Sequence, residues 1–340
     1  MKVAMYYKNC DVRIEEYPVP EIDENEIMMK VMASGICGSD VMEWYRIKKA
    51  PLVLGHEVSG TVEKTGKNVR GFKKGERIVV THHVACGTCQ CCKEGNGTVC
   101  DMLKTTKFYP GGFAEYLRVP KINISKGTLK LPDNVSFEEG TFVEPLGCVV
   151  RGQNKADVRK NHSVLVLGSG ISGLLHINLA KSKGCKVFAT DISEFRLKMA
   201  KKFGADITFD ALKYDVEEFK KKNNGKLADR VIVSTGAPSA IVQAFNSVEK
   251  GGTILLFAPT SPNAEVLIPV NDLWSKCATV TTTYAAVKED LEEALDLISK
   301  KKVNVKDMVT HNLTLDYIQK GFNLVLRPEN SIKVIIEPHK

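Results

Sequence analysis

The chain has 340 residues, 43% hydrophobic and 26% charged, enough for two domains with separate cores and incompatible with a disordered chain. A long uncharged run, 163–180, is broken by three glycines and carries His176 and Asn178, so it does not read as a membrane span. The net charge of +8 sits in lysine runs such as 201–202, 220–222 and 300–302, which lack interleaved aromatics and read as solvated surface, not as a nucleic-acid face.

In chain order, the first 120 residues alternate apolar and polar positions in short segments, 26–33, 58–63, 76–81 and 113–119, separated by glycine-rich turns. This predicts an antiparallel barrel or sandwich. From about residue 161 the pattern becomes buried strands followed by amphipathic helices: VLVLG, a helix over 171–183, KVFAT, a helix over 193–203, then DRVIVS and TILLFA. That alternation predicts an α/β unit, a parallel sheet with helices on both faces. A helix over 288–300, a second over 315–326 and a strand over 332–336 end the chain.

Cys86, Cys89, Cys92 and Cys100 in ACGTCQCCKEGNGTVC have the spacing C-x2-C-x2-C-x7-C, with which one loop can present four thiolates to a structural Zn²⁺. Disulfides between them would close only short strained loops, and the N-terminal MKVAMYYKNC has no apolar export segment. Ten cysteines without an export signal fit a reducing compartment, so a cytoplasmic protein is expected. Cys91 is left outside the tetrad, and an iron–sulfur cluster is the chemical rival to zinc.

The segment VLVLGSGISGLL sets Gly168, Gly170 and Gly173 after a buried strand and at a helix start, with Ile171 and Ser172 opening the helix. In that context the first glycine permits the turn, the second admits a pyrophosphate, and the third lets helix pack on strand. Asp191 ends the next strand, 23 residues after Gly168, where a carboxylate accepts from ribose hydroxyls and repels a 2′-phosphate. NAD is therefore expected over NADP. Arg196, five residues on, is either a partner of adenine or phosphate or a helix-surface arginine.

A second set of ligand types lies in GICGSD and LGHEVSG: Cys37, His56 and Glu57, with Ser39 two residues after the cysteine. Together with the cysteine lobe, GGFAEY (111–116), VEPLG (143–147), the glycine fingerprint and the C-terminal elements, these motifs resemble the zinc-dependent medium-chain alcohol and polyol dehydrogenases, sorbitol- and threonine-type members above all. The resemblance spans the whole chain. It implies a GroES-like β-barrel catalytic domain over 1–150 with 286–340, the zinc lobe at 86–100, and a Rossmann doubly wound domain over 151–285. It implies two zinc ions, a structural one on the tetrad and a catalytic one on Cys37, His56 and Glu57, completed by Glu144 of the EPL motif or by Cys148, with Glu144 preferred.

The same resemblance implies hydride transfer between NAD and a secondary alcohol, a polyol or sugar, with Ser39 on the substrate oxygen. Many relatives continue a proton relay through a histidine where this chain has Met42. Trp44, Tyr45 and Arg46 are either pocket residues, with Arg46 able to hold a carboxylate or phosphate, or an ordinary surface turn. Threonine-type amino alcohols and sugar phosphates are the alternative substrates, and a nucleotide-binding zinc protein without dehydrogenase activity is the alternative class. By analogy with relatives a homodimer or homotetramer is expected, with no nucleic-acid or membrane partner.

Overall fold

The computed structural model describes residues 1–340. The chain forms two compact units: Met1–Gly147 with Ala285–Lys301 and Val305–Lys340, and Cys148–Tyr284 with Lys302–Asn304.

The first unit is built on a seven-stranded sheet. Its order is Val309–Thr314, Lys333–Glu337, Ile27–Gly35, Glu57–Thr65, Arg77–Val80 and Thr128–Lys130, with Tyr116–Val119 also pairing with Ile27–Gly35. Alternation along Ile27–Gly35 turns Ile27, Met29 and Val31 into a core with Val58, Val62, Ile78, Val80, Leu117 and Val119. Each such side chain contributes roughly 1.5–3 kcal/mol on burial. Gly60 is required here, since a Cβ would stand 2.0 Å from the Lys30 carbonyl oxygen. A three-stranded sheet, Asp11–Glu16, Lys2–Lys8 and Leu52–Val53, covers a second core around Tyr6, Phe113 and Phe322.

Register positions the site. Gly35 pairs with Glu57, so the loop that leaves the first strand at Cys37 and the residue that enters the second, His56, lie at the same end of the ladder. Ile335 also pairs with Gly35 in antiparallel sense, which carries Lys333 to the Cys37 end of the sheet.

Where sequence and structure differ, backbone pairing gives the reason. The strand expected over 113–119 begins at Tyr116, because Phe113 first makes backbone bonds with Ala4 of the smaller sheet and with Leu54, just past its strand Leu52–Val53. The segment expected as one helix over 315–326 is a 3₁₀ turn, Leu315–Tyr317, followed by the helix Ile318–Leu326. The opening hairpin and the helix Val143–Lys155 were not legible in the periodicity.

The second unit is a six-stranded parallel sheet in the order Ile207–Asp210, Lys186–Asp191, Ser163–Leu167, Ala228–Val233, Val248–Leu256 and Thr279–Thr282. This is the doubly wound order with its switch point beside the central strand Ser163–Leu167. Every residue of that strand is buried. Phe188, Phe209 and Phe219 pack ring to ring in its core, with centroids 4.7 to 6.4 Å apart. The helix Glu194–Lys202 is capped by the Ser193 hydroxyl and ends in Lys201 and Lys202, which complement its dipole.

Candidate active site

The Cys37 sulfur, a His56 nitrogen and a Glu57 oxygen lie within 4.8 Å of one another. Asp40, fully buried, organises the first two. Its Oδ2 accepts from the Cys37 N–H at 3.1 Å, and its Oδ1 faces His56 Nδ1 at 3.3 Å. A carboxylate at Nδ1 fixes the tautomer that leaves Nε2 with a lone pair for a metal. Burial pushes the Asp40 carboxyl up, but His56, Arg46 and the Cys37 amide outweigh it and hold it low. Burial likewise pulls His56 down, yet Asp40 and Cys37 hold it well above an ordinary histidine. A metal therefore has to displace a proton here, and its affinity falls as pH falls.

Glu57 pairs through Oε2 with Lys333, both side chains 1% exposed, which leaves Oε1 for another partner. Glu144 stands on the helix Val143–Lys155, outside that closest trio but within electrostatic reach of it. Burial first, with Glu57 and Asp40, raises its carboxyl to about 7 against the opposing pull of His56 and Lys333. One sulfur, one imidazole and crowded carboxylates form a donor set that suits Zn²⁺. Cys148 follows Glu144 by one helical turn on the same helix.

Ser39 Oγ lies 3.5 Å from His56 Nε2. Arg46 does not lie as a solvated turn residue: Nη2 donates to Ser39 Oγ at 3.0 Å, Nε donates to the Ser39 carbonyl at 2.9 Å, and Nη2 is 3.6 Å from Asp40. Trp44 and Tyr45 are exposed. Met42 precedes the short helix Glu43–Arg46.

Sequence reasoning missed Asp40, Lys333, His82 and His83. The His82 ring is 4.9 Å from His56 and 3.6 Å from His83. Burial, with the charge on His56, pushes both down, His83 to about 4, so both are neutral near pH 7. The available signals were a histidine pair ending a buried strand and one lysine in the otherwise apolar run IKVII.

The cysteine lobe is compact. All four sulfurs of Cys86, Cys89, Cys92 and Cys100 lie within 4.8 Å, with 3.8 Å between Cys86 and Cys92 and 3.5 Å between Cys89 and Cys92. Zinc–sulfur bonds of about 2.3 Å in a tetrahedron put sulfurs about 3.8 Å apart, so the cage fits that ion. All ten cysteines are free thiols, and Cys91 stands outside the cage. The Thr88 hydroxyl, with the Thr88 and Cys89 amides, pulls the Cys86 thiol down to about 5.

At the glycine loop, Gly168 has φ of +90°, and a Cβ on Gly173 would stand 1.9 Å from the Gly168 carbonyl oxygen. Gly170 faces open space. The helix Ile171–Ser182 begins there, so Ile171 and Ser172 offer unpaired N–H groups in its first turn. Asp191 is buried; its Oδ2 accepts from Ser169 N–H at 2.8 Å, its Oδ1 from Ser193 N–H at 2.9 Å, and Arg196 approaches to 3.8 Å.

Residues 23–133 match the alcohol dehydrogenase GroES-like domain and residues 172–300 match the zinc-binding dehydrogenase domain. A protein named probable D-xylulose reductase A from Aspergillus fumigatus is 33% identical over 340 residues, covering 96% of this chain and 93% of that one. Sorbitol dehydrogenase of Homo sapiens is 33% identical over 336 residues, covering 92% and 89%. A structure described as a zinc-binding dehydrogenase from Sinorhizobium meliloti 1021, bound to NADP, has a TM-score of 0.89 at 25% identity and covers 99% of both chains. With a GroES-like unit, a doubly wound unit and whole-length likeness of this order, the chain belongs to the zinc-dependent alcohol and polyol dehydrogenase family.

Proposed function

We propose that the chain interconverts a secondary alcohol of a polyol or sugar with its ketone, using NAD, at Cys37, His56, Glu57 and Glu144. The carbinol hydrogen leaves as hydride with two electrons to the nicotinamide, and the hydroxyl proton leaves to solvent. The observation that carries the reading is the close trio Cys37, His56 and Glu57, the last two buried, with Asp40 Oδ1 3.3 Å from His56 Nδ1. Sorbitol dehydrogenase and D-xylulose reductase among the relatives support a polyol substrate.

When bound, zinc supplies Lewis-acid activation of the alcohol, and the nicotinamide accepts the hydride. The chain's own groups do the rest. Asp40 orients His56, Lys333 holds one oxygen of Glu57, and Glu144 adds negative charge that a divalent cation relieves. Ser39 gives a hydrogen bond to the substrate oxygen, and its distance from His56 supports that role. Cys86, Cys89, Cys92 and Cys100 hold a second zinc and leave it no open position.

Gly168, Gly170, Ile171, Ser172 and Gly173 receive the pyrophosphate, and Asp191 with Arg196 takes the adenosine end. A buried carboxylate at Asp191 favours NAD, although the solved relative holds NADP. The GroES-like catalytic domain comprises 1–150 with 286–340 and the Rossmann domain 151–285, bounds that differ from those of the compact units at 148–150, 285 and 302–304.

A second copy of the chain is the expected partner. The strand Thr279–Thr282 ends its sheet, and Leu267, Val270 and Trp274 nearby in sequence are 94%, 70% and 76% exposed. No helix is long and apolar enough to cross a membrane. Ten free thiols support the cytoplasm.

The test is reduction of NAD and NADP, separately, by polyols, aldoses, threonine and phosphorylated polyols, before and after chelation. A polyol should reduce NAD at least about tenfold better than NADP, and chelation should abolish turnover. Chelator-insensitive turnover, or activity with threonine or a phosphorylated polyol alone, overturns the reading.

A further inference from the structure

Resting on that reading, we propose that Arg46 is a positioning residue for hydride transfer, fixing Ser39 as a hydrogen donor toward the substrate oxygen and placing a permanent positive charge behind it. A serine hydroxyl has one hydrogen and two lone pairs, and a guanidinium only donates. Arg46 Nη2 occupies one lone pair at 3.0 Å, while Nε anchors the carbonyl of the same residue at 2.9 Å. The fork thus holds both ends of Ser39, and the hydroxyl hydrogen must point away from Arg46.

On the other side of Ser39 stands His56 Nε2 at 3.5 Å. Nδ1 faces Asp40, so Nε2 is the nitrogen left for a metal, and once committed it has no lone pair for the serine hydrogen. The hydrogen is left for a substrate oxygen. As the alcohol loses its proton and hydride, that oxygen passes through a state richer in negative charge, which a donor polarised by an adjacent cation stabilises.

The side chain of Arg46 is only 15% exposed, so its charge acts with little solvent screening, and Asp40 at 3.6 Å keeps it in place. Asp40 also faces His56, so one carboxylate ties the guanidinium and the imidazole to the same geometry. Because a guanidinium does not accept a proton, Ser39 cannot pass one to Arg46. Arg46 thus takes up no proton, and the alcohol proton leaves to solvent.

The experiment is a double-mutant cycle on the full-length zinc-loaded chain: wild type, Ser39→Ala, Arg46→Ala, the double variant and Arg46→Lys. It measures kcat and KM, zinc per chain, NADH affinity, and calorimetric binding of a short primary amide, whose carbonyl oxygen probes the same donor, to the NADH complex. Expected are losses in kcat/KM of about 100-fold for Ser39→Ala and about 10- to 30-fold for Arg46→Ala, carried by kcat more than by KM. The double variant should lose no more than Ser39→Ala alone, and amide affinity should fall in the same order. Arg46→Lys, which keeps the charge and one donor, should recover part of the loss, with zinc and NADH affinity unchanged.

Losses that multiply in the double variant, an Arg46→Ala enzyme within twofold of wild type, or losses that track zinc content each overturn the proposal. A wild-type enzyme without chelator-sensitive alcohol oxidation would instead remove the functional reading on which the proposal rests.

Discussion

Glu144 shows how much of the site's behaviour is electrostatic before any metal binds. Burial raises its carboxyl from an ordinary 4.5 to about 7, so the folded metal-free chain binds this proton more tightly than the unfolded chain does. Its stabilising contribution is full below pH 4.5 and is lost as pH rises through 7, a difference of up to about 3 kcal/mol at roughly 1.4 kcal/mol per unit. In chelator, Glu144→Gln should therefore raise unfolding free energy at pH 8 and remove that share of the slope between pH 5 and 8. Denaturant titration across this range checks it, and superimposable wild-type and variant slopes would refute it. Single residues were legible in the sequence only when their partners were local. Cys37, His56 and Glu57 stand in short glycine-bordered motifs, whereas the apolar run around Lys333 signals a buried lysine without naming its partner 276 residues away. Arg46 had the right segment and an open role, because the direction in which a long side chain turns is decided by what it can reach in three dimensions.

Among the elements, the glycine loop is the part most fully written in the sequence, since a strand, a turn and a helix N-terminus are consecutive. Gly173 is its tightest point, a Cβ meeting the Gly168 carbonyl oxygen at 1.9 Å, where only backbone could move aside. Gly173→Ala should push the helix Ile171–Ser182 from its strand and weaken NADH binding by about tenfold or more, with zinc content unchanged. Fluorescence titration with NADH measures this, and an affinity equal to wild type would show that the helix shifts without disturbing the nucleotide. Elements governed by pairing were less legible. The segment 113–119 has the alternation of a strand throughout, yet its first residues bond to the smaller sheet, and the larger one is joined by Tyr116–Val119 and the Glu115 carbonyl. Alternation reports which face is buried, not which neighbour supplies the hydrogen bonds.

For the whole molecule, the two grammars of the sequence correspond to two units, one mainly antiparallel and one parallel, because side-chain period is set by local burial. Assembly is a separate question, which turns on the exposed side chains Leu267, Ile268, Val270 and Trp274 and on the edge strand Thr279–Thr282 that follows them in sequence. Trp274→Glu with Val280→Lys should convert the assembly proposed above to monomer, since charge on an apolar contact and on a sheet edge opposes pairing. Light scattering of the variant reads the mass directly; an unchanged oligomer would place the contact elsewhere.

The pair formed by Glu57 and Lys333 also bears on how the chain is made. On the ribosome, Glu57 emerges long before its counterion, and the whole segment of the parallel sheet, 163–282, is synthesised in the interval. Until the strand Lys333–Glu337 leaves the exit tunnel, the antiparallel sheet lacks a member and Glu57 has no cation beside it. The nucleotide-binding unit can thus close on a nascent chain whose metal pocket is still open, and emergence of the strand Lys333–Glu337 sets the earliest moment at which the pocket is complete.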